Sequence, residues 1–139
     1  MKNQVYKCKQ DRLPGSSYKE LIKLARREYH TIQSRSPRRI PYVRSAYFTK
    51  DKIFINNFWD HLSQKNAKDR VRRLRLYSCA IELIRNSKYT PLTLQNPNNI
   101  DETLHRFDGV TSSGDKFSVQ IKENKKTNRK EFISCFPRK

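Results

Sequence analysis

Four side chains in the C-terminal third of the chain have the chemistry that phosphodiester cleavage requires. His105 can accept or donate a proton near neutral pH, and Lys122 can neutralise a negatively charged phosphorane. The hydroxyls of Thr111 and Ser134 can donate hydrogen bonds to phosphate oxygens. Cleavage of RNA without a metal needs such groups, because a base must take the proton of the 2′-hydroxyl and an acid must protonate the leaving oxygen. These four residues are therefore the candidate catalytic residues.

The elements that must position these residues are predicted to be three short strands. Residues 117–121 alternate between apolar and polar side chains, which is the period of a half-buried strand. Turn-rich breaks at 112–114 and 125–129 separate this strand from one on either side, so residues 101–139 predict an antiparallel meander. Lys122 has the parity of the polar residues and should point to an open face of the sheet.

The side of the last strand on which Ser134 lies stays open. If Ile133 and Cys135 face the helices, Ser134 lies on the ligand face between Phe132 and Phe136, where exposed aromatic rings could stack on bases. If the two phenylalanines are core residues instead, Ser134 is a buried and hydrogen-bonded serine.

The charge of the chain indicates a polyanionic partner. Its 139 residues include 31 lysines and arginines against 13 aspartates and glutamates, a formal net charge of +18. Such a field attracts phosphate polymers and repels cationic partners. The mean hydropathy of −0.98 and the short apolar runs argue against a membrane protein, so RNA is the favoured partner.

The cysteines and the N-terminus predict a cytoplasmic protein. Cys8, Cys79 and Cys135 are odd in number and far apart, which favours reduced thiols over a disulfide framework or a zinc site. Residues 1–12 contain basic side chains but no apolar stretch of the kind found in a signal peptide. No phosphate-binding glycine loop is present, and no cofactor or metal site is expected.

Upstream of the meander, the sequence predicts helices and a hairpin. Residues 1–15 are expected to be a flexible N-terminus, and 16–139 a single domain with a helical part at 16–87, a loop at 88–100 and the sheet at 101–139. Within the helical part we expect helices over 18–33, 58–64 and 69–86, and a hairpin formed by 42–48 and 53–55. This order predicts an α+β fold, with the helices packed on one face of a small antiparallel sheet of about four to five strands.

The C-terminal motif resembles a known group of nucleases. The pattern His-Arg-Phe-x-Gly-x-Thr-x-x-Gly-x-x-Phe-x-Val-x-Ile-Lys-Glu over 105–123, followed by Lys-x-Phe-Ile-Ser-x-Phe-Pro over 130–137, is similar to phage-associated members of the barnase, EndoU, colicin and RelE-like nuclease superfamily. The resemblance implies a metal-independent endoribonuclease with helices preceding a four- or five-stranded antiparallel sheet. Such proteins often act as toxins.

The remaining basic residues of this region are candidates for contacts with the RNA backbone. They are Arg106, Lys116, Lys125, Lys126, Arg129 and Lys130. His61 is interpreted as a packing residue on its helix and His30 as an exposed one. If the protein is a toxin, an acidic antitoxin or immunity protein is a second expected partner. The alternative functions are a non-catalytic RNA- or DNA-binding domain and a ribosome-associated or phage protein, which would use the charge without needing His105.

Overall fold

The structure is α+β, as the sequence predicts. The computed structural model describes residues 4–138. Over these residues the α-helices are α1 (Tyr18–Arg35), α2 (Phe58–Ser63), α3 (Ala67–Leu74) and α4 (Tyr77–Asn86). The strands are β1 (Tyr6–Lys7), β2 (Tyr42–Arg44), β3 (Lys52–Phe54), β4 (Leu92–Gln95), β5 (Glu102–Val110), β6 (Lys116–Asn124) and β7 (Lys130–Pro137). Within the described part of the chain, no helix is both long and apolar enough to cross a membrane.

The strands form one mixed sheet that is larger than predicted. The order is β1-β5-β6-β7-β3-β2, and β4 also pairs with β5. Strands β5, β6 and β7 form the expected antiparallel meander, and β2 and β3 form the expected hairpin. The pairs β1–β5 and β3–β7 are parallel. The predicted antiparallel sheet of four to five strands is therefore corrected to a mixed sheet of seven, because β1 and β4 pair with one edge of the meander and the β2–β3 hairpin extends the other.

The N-terminal segment lies against the sheet and α4. Tyr6 is the parallel partner of Gly109 on β5, and its hydroxyl donates a hydrogen bond to Glu82 at 2.8 Å. The backbone amide of Leu13 donates to the carbonyl of Arg75 at 2.8 Å. The structure thus differs from the expected flexible N-terminus over residues 6–13, while residues 1–3 lie outside the described part of the chain.

Helix α1 has the ends that its sequence predicts. Ser17 caps its N-terminus, since the Ser17 hydroxyl accepts a hydrogen bond from the amide of Glu20 at 3.3 Å. The helix ends at Arg35, before Pro37, whose ring cannot continue the hydrogen-bond ladder. A tight turn, Pro37–Arg39, follows, in which Arg38 and Arg39 have positive φ angles of 58° and 56°. The buried face of α1 consists of Leu21, Ala25 and Ile32.

The helix expected over 69–86 is two helices, α3 and α4. The side chain of Asn66 caps α3 and accepts a hydrogen bond from the amide of Asp69 at 2.9 Å, so this helix begins earlier than predicted. The amide of Leu76 bonds to the carbonyl of Arg73 instead of continuing the i→i−4 pattern, and α4 begins at Tyr77. The expected loop over 88–100 also contains a strand, β4, which pairs with β5.

One face of the meander packs against the helices. Phe117, Val119 and Ile121 of β6 are all buried, as their alternation predicts. Phe132 of β7 is also buried and stacks on Phe58 of α2, with ring centroids 4.8 Å apart and ring planes 14° from parallel. The opposite face of the meander is the open face.

A β-bulge in β7 decides the orientation of Ser134. Ile121 pairs with Phe132, whereas Gln120 pairs with Ser134, so Ile133 is an extra residue in β7. The bulge lets Phe132 face the core while Ser134 faces the open side with Gln120. The structure therefore combines parts of both arrangements that strict alternation allows. Phe132 is a core residue, but Ser134 is not buried.

Gly109 should be intolerant of a side chain, because it is packed closely against the core. A Cβ atom there would lie 2.7 Å from Cζ of Phe117 and 2.8 Å from Cδ1 of Leu83, both of which are buried. We expect Gly109→Ala to lower the free energy of unfolding by about 1–3 kcal/mol, as overpacking of cores does. Chemical denaturation would measure the loss. Ser112→Ala, at an exposed turn position, is the control and should change stability by less than about 0.5 kcal/mol.

Candidate active site on the open face of the sheet

The predicted catalytic residues His105 and Lys122 lie on opposite faces of the sheet. Directly opposite residues of an antiparallel pair share a face. His105 pairs with Ile121, whose side chain is in the core, whereas Lys122 pairs with Leu104 on the open face. The two side chains therefore do not meet, although they lie on adjacent strands.

His105 is a buried member of a polar cluster that also contains partly exposed side chains. The side chain is only 9% exposed, and both ring nitrogens have partners: Thr93 Oγ1 lies 2.9 Å from Nδ1 and Glu123 Oε1 lies 2.8 Å from Nε2. The ring of Phe48 packs edge-on against the imidazole with centroids 5.0 Å apart. Lys130 completes the cluster, with Nζ 3.4 Å from Glu123. The imidazole of His105 is therefore almost entirely enclosed by its partners.

Thr111 is also separated from the other candidates. It follows the end of β5 and lies six residues beyond His105, roughly 20 Å along an extended strand. Its side chain is buried in the turn, where its hydroxyl accepts a hydrogen bond from the amide of Asp115 at 3.1 Å. Thr111 therefore shapes the β5–β6 turn.

Lys122 and Ser134 do lie on one face, beside a cleft of about 240 Å³. This surface, which we call the cleft, is lined by His61, Lys65, Arg73, Gln120, Ile133, Ser134 and Phe136. Arg106 is the exposed partner of Gln120 on β5, so it extends the positive surface on the same face. The cleft brings together a histidine, a hydroxyl and several cations, which is the set of groups expected from the sequence but with a different histidine.

Residues of α3 hold Ser134 in the cleft. The guanidinium of Arg73 donates a short hydrogen bond to the Ser134 hydroxyl and lies over the ring of Phe136, 5.6 Å from its centroid. Asp69, one helical turn earlier, forms an ion pair with Arg73 at 3.2 Å. Arg73 is therefore held in position at the lining of the cleft, with Nη1 at the Ser134 hydroxyl and Nε at the Asp69 carboxylate.

Lys122 is held in place by two carboxylates. Its Nζ lies 3.6 Å from Glu102 and 3.5 Å from Glu131. Burial raises the pKa of Glu131, but hydrogen bonds from Arg129 and Asn57 outweigh this and hold the pKa below its ordinary value. Glu131 is therefore ionised at neutral pH and keeps the ammonium of Lys122 oriented on the open face.

His61 is the histidine of the cleft, and sequence reasoning missed this role. Partial burial lowers its pKa, and the nearby positive charges of Lys122 and Lys65 lower it further. The imidazole is consequently neutral at pH 7 and able to accept a proton. One feature of the sequence could have indicated this role. His61 and Lys65 are four residues apart, a spacing that puts a proton acceptor and a cation on the same side of the chain at the C-terminal end of α2.

The basic residues expected to bind RNA are divided by the structure. Lys125, Lys126 and Arg129 are exposed in the β6–β7 turn, whereas the Lys130 side chain is only 6% exposed and pairs with Asp51 at 2.9 Å. Lys116 is exposed at the start of β6, at the other end of that strand from this turn. Lys130 is therefore buried among its ion-pair partners, whereas the side chains of the other basic residues are exposed.

A groove of about 700 Å³ beside β2 is larger than the cleft, but it is not the candidate site. Its lining includes Arg85 and Lys88 but no histidine or carboxylate, so it lacks a group for proton transfer near neutral pH. Among residues 4–138, no three histidine, cysteine, aspartate or glutamate side chains are grouped as metal ligands would be.

Comparison with known proteins identifies no relative of this chain. No protein-family model, no curated protein and no solved structure matches the chain. The resemblance of the C-terminal motif to the barnase, EndoU, colicin and RelE-like nucleases therefore stays a prediction.

Proposed function

We propose that the protein is a metal-independent endoribonuclease whose active site is the cleft on the open face. The observation that carries this proposal is the position of a neutral histidine, His61, beside Lys122 and the Arg73–Ser134 pair. A proton acceptor, a cation and hydrogen-bond donors are the groups that attack by the 2′-hydroxyl needs. The net charge of +18 supports RNA as the substrate.

In this mechanism each residue has one task. The 2′-oxygen attacks the adjacent phosphorus while its proton passes to the neutral imidazole of His61. Arg73 and Ser134 donate hydrogen bonds to the non-bridging oxygens, and Lys122 neutralises the charge that develops on the phosphorane. The bond from phosphorus to the 5′-oxygen then breaks, and this oxygen takes a proton from a water molecule in the open cleft, while the resulting hydroxide takes the proton held on His61 and restores the neutral imidazole. The products are a 2′,3′-cyclic phosphate and a 5′-hydroxyl.

A gel assay with purified protein tests this function. Single-stranded and structured RNAs should be cut in the presence of EDTA, because the internal hydroxyl replaces a metal-activated water as nucleophile. The upstream fragments should carry 2′,3′-cyclic phosphates. Products with 5′-phosphate and 3′-hydroxyl ends, or activity that chelation abolishes, would contradict the mechanism.

A non-catalytic RNA-binding domain is the second candidate, and the pairing of Lys122 favours it. Two carboxylates already neutralise this ammonium, which reduces the charge it can offer to a phosphorane. Tight binding to messenger, transfer and ribosomal RNA without cleavage of any of them would select this function. An acidic antitoxin or immunity protein is a proposed partner only if the protein cleaves RNA.

Binding to RNA should weaken steeply as salt rises. The positive charge is spread over the chain, so the complex should release several counterions from the phosphate backbone. Titrations at increasing salt should give a linear fall of log affinity against log salt concentration, with a slope corresponding to several phosphate contacts. An affinity that does not change with salt would rule out a phosphate-dominated interface.

A further inference from the structure

A pair of aromatic rings lies on the open face, on the strands beside β7. Tyr42 of β2 and Phe54 of β3 are cross-strand partners whose ring centroids are 6.0 Å apart. Both side chains are partly exposed, whereas Val43 and Ile53, their neighbours of opposite parity, are buried in the core. The two rings are therefore not needed to fill the hydrophobic core.

The register of the sheet connects this aromatic pair to the cleft. Phe54 is the partner of Glu131 on β7, and Glu131 is the partner of Lys122 on β6. Tyr42, Phe54, Glu131 and Lys122 thus form a row across the open face. Because neighbouring strands are about 4.8 Å apart, Phe54 lies roughly 10 Å from Lys122 across the row. One nucleic-acid strand can therefore contact Phe54 and Lys122 at the same time.

Cations surround the two rings. The guanidinium carbon of Arg129 lies 3.9 Å from the centroid of Phe54, and Lys52 Nζ lies 4.9 Å from that of Tyr42. Arg44 lies 5.5 Å from the same tyrosine ring. A groove of about 450 Å³ runs beside Phe54, lined in part by these same arginine and lysine side chains. Aromatic rings among cations in a groove can bind bases and phosphates together.

We propose that Tyr42 and Phe54, with Arg44, Lys52 and Arg129, form a base-stacking subsite for single-stranded RNA. The planar guanidinium of Arg129 on Phe54 and the ring of Tyr42 stack on unpaired bases, and Lys52 and Arg44 bind the adjoining phosphates. The inference rests on the proposed function, because it places the strand whose phosphodiester enters the cleft. It assigns a substrate class, RNA with unpaired bases, since a base inside a duplex cannot offer its face to these side chains.

The test measures binding separately from cleavage. The probes are strands of about ten nucleotides of 2′-O-methyl oligoadenylate, which lack the nucleophilic hydroxyl and cannot be cut. One strand carries 2-aminopurine, whose fluorescence is quenched by stacking, and a matched strand is abasic with the same phosphate charge. We expect the base-containing strand to bind about tenfold more tightly than the abasic strand, with quenching of the 2-aminopurine.

Variants assign this difference to the two rings. Tyr42→Leu and Phe54→Leu keep apolar volume but remove the aromatic plane, so together they should abolish both the quenching and the preference for bases. Tyr42→Phe is the matched control and should keep both. Circular dichroism and thermal unfolding confirm that the variants fold. Equal affinity for the two strands in the unmodified protein, or quenching that survives the double leucine variant, would overturn the subsite.

The binding measurement distinguishes failure of the base-stacking subsite from failure of the proposed endoribonuclease. Quenching without cleavage of unmodified RNA would retain the subsite and reject the endoribonuclease. Cleavage without quenching or preference for bases would retain the endoribonuclease and reject the subsite.

Discussion

His61→Ala should lower kcat/KM for RNA cleavage by about 10²-fold or more, as the loss of a proton-transfer group usually does. His61 lines the cleft, and its neutral imidazole can take the proton of the attacking 2′-hydroxyl. Lys122→Met should cost a comparable factor, because it removes the charge that stabilises the phosphorane while keeping the length of the side chain. Initial rates on a short fluorogenic RNA would measure both effects.

Matched substitutions elsewhere separate catalysis from general charge loss. His30→Ala removes an exposed histidine of α1, and Lys23→Met removes an exposed lysine of the same helix. Both controls should keep nearly full kcat, since neither residue lines the cleft. Full activity of His61→Ala would reject His61 as the base and, with it, the proposed site.

The pH profile gives a second readout of His61. Its pKa lies below the ordinary value of 6.5, so the imidazole stays neutral as the pH falls through that value. The acidic limb of kcat/KM, which reports the free enzyme, should therefore lie below pH 6.5 and disappear in His61→Ala. A limb above that pH that persists in the variant would assign the titration to another group.

Patterns that depend on neighbouring residues were predictable from the sequence. The alternation of Phe117, Val119 and Ile121 identified the central strand and its buried face, and Ser17 identified the start of α1. The parallel pairing of β1 with β5 and of β3 with β7 was not predictable, because strands of two or three residues carry too little periodicity to reveal distant partners.

The candidate site was predictable only in part, for a geometric reason. Strand parity correctly put Lys122 on the open face. Parity could not resolve Ser134, because the extra residue at Ile133 shifts the alternation and no local sequence signal marks that bulge. His105 was selected by its chemistry and its place in the motif, but its pairing with Ile121 turns it to the core side. His61 lines the cleft from α2, which is far in sequence from the C-terminal motif. The motif alone therefore could not identify His61.

Lys130→Met should lower the free energy of unfolding by about 1–3 kcal/mol, because it removes a buried ammonium that pairs with the partly exposed carboxylates of Asp51 and Glu123. The Lys130 side chain is 6% exposed and contacts Asp51 at 2.9 Å and Glu123 at 3.4 Å, while Glu123 also holds His105 at 2.8 Å. Without the ammonium, the partly buried carboxylate of Glu123 loses its contact with the cation of Lys130. Urea denaturation would measure the loss, with Lys125→Met, an exposed lysine, as the control that changes stability by less than about 0.5 kcal/mol.

Substitutions in the same cluster test whether His105 stabilises the fold or takes part in catalysis. His105→Ala removes hydrogen bonds to Thr93 and Glu123 and should cost about 1–3 kcal/mol of stability. In the Lys130→Met variant, the further substitution Glu123→Gln should restore part of the stability lost with Lys130. The neutral amide replaces the carboxylate that Lys130→Met leaves without its cation. If the folded fraction of His105→Ala cleaves RNA at the normal rate, His105 is structural. A loss of about 10²-fold in that fraction, with stability unchanged, would instead return the catalytic role to His105 and contradict the buried cluster as its function.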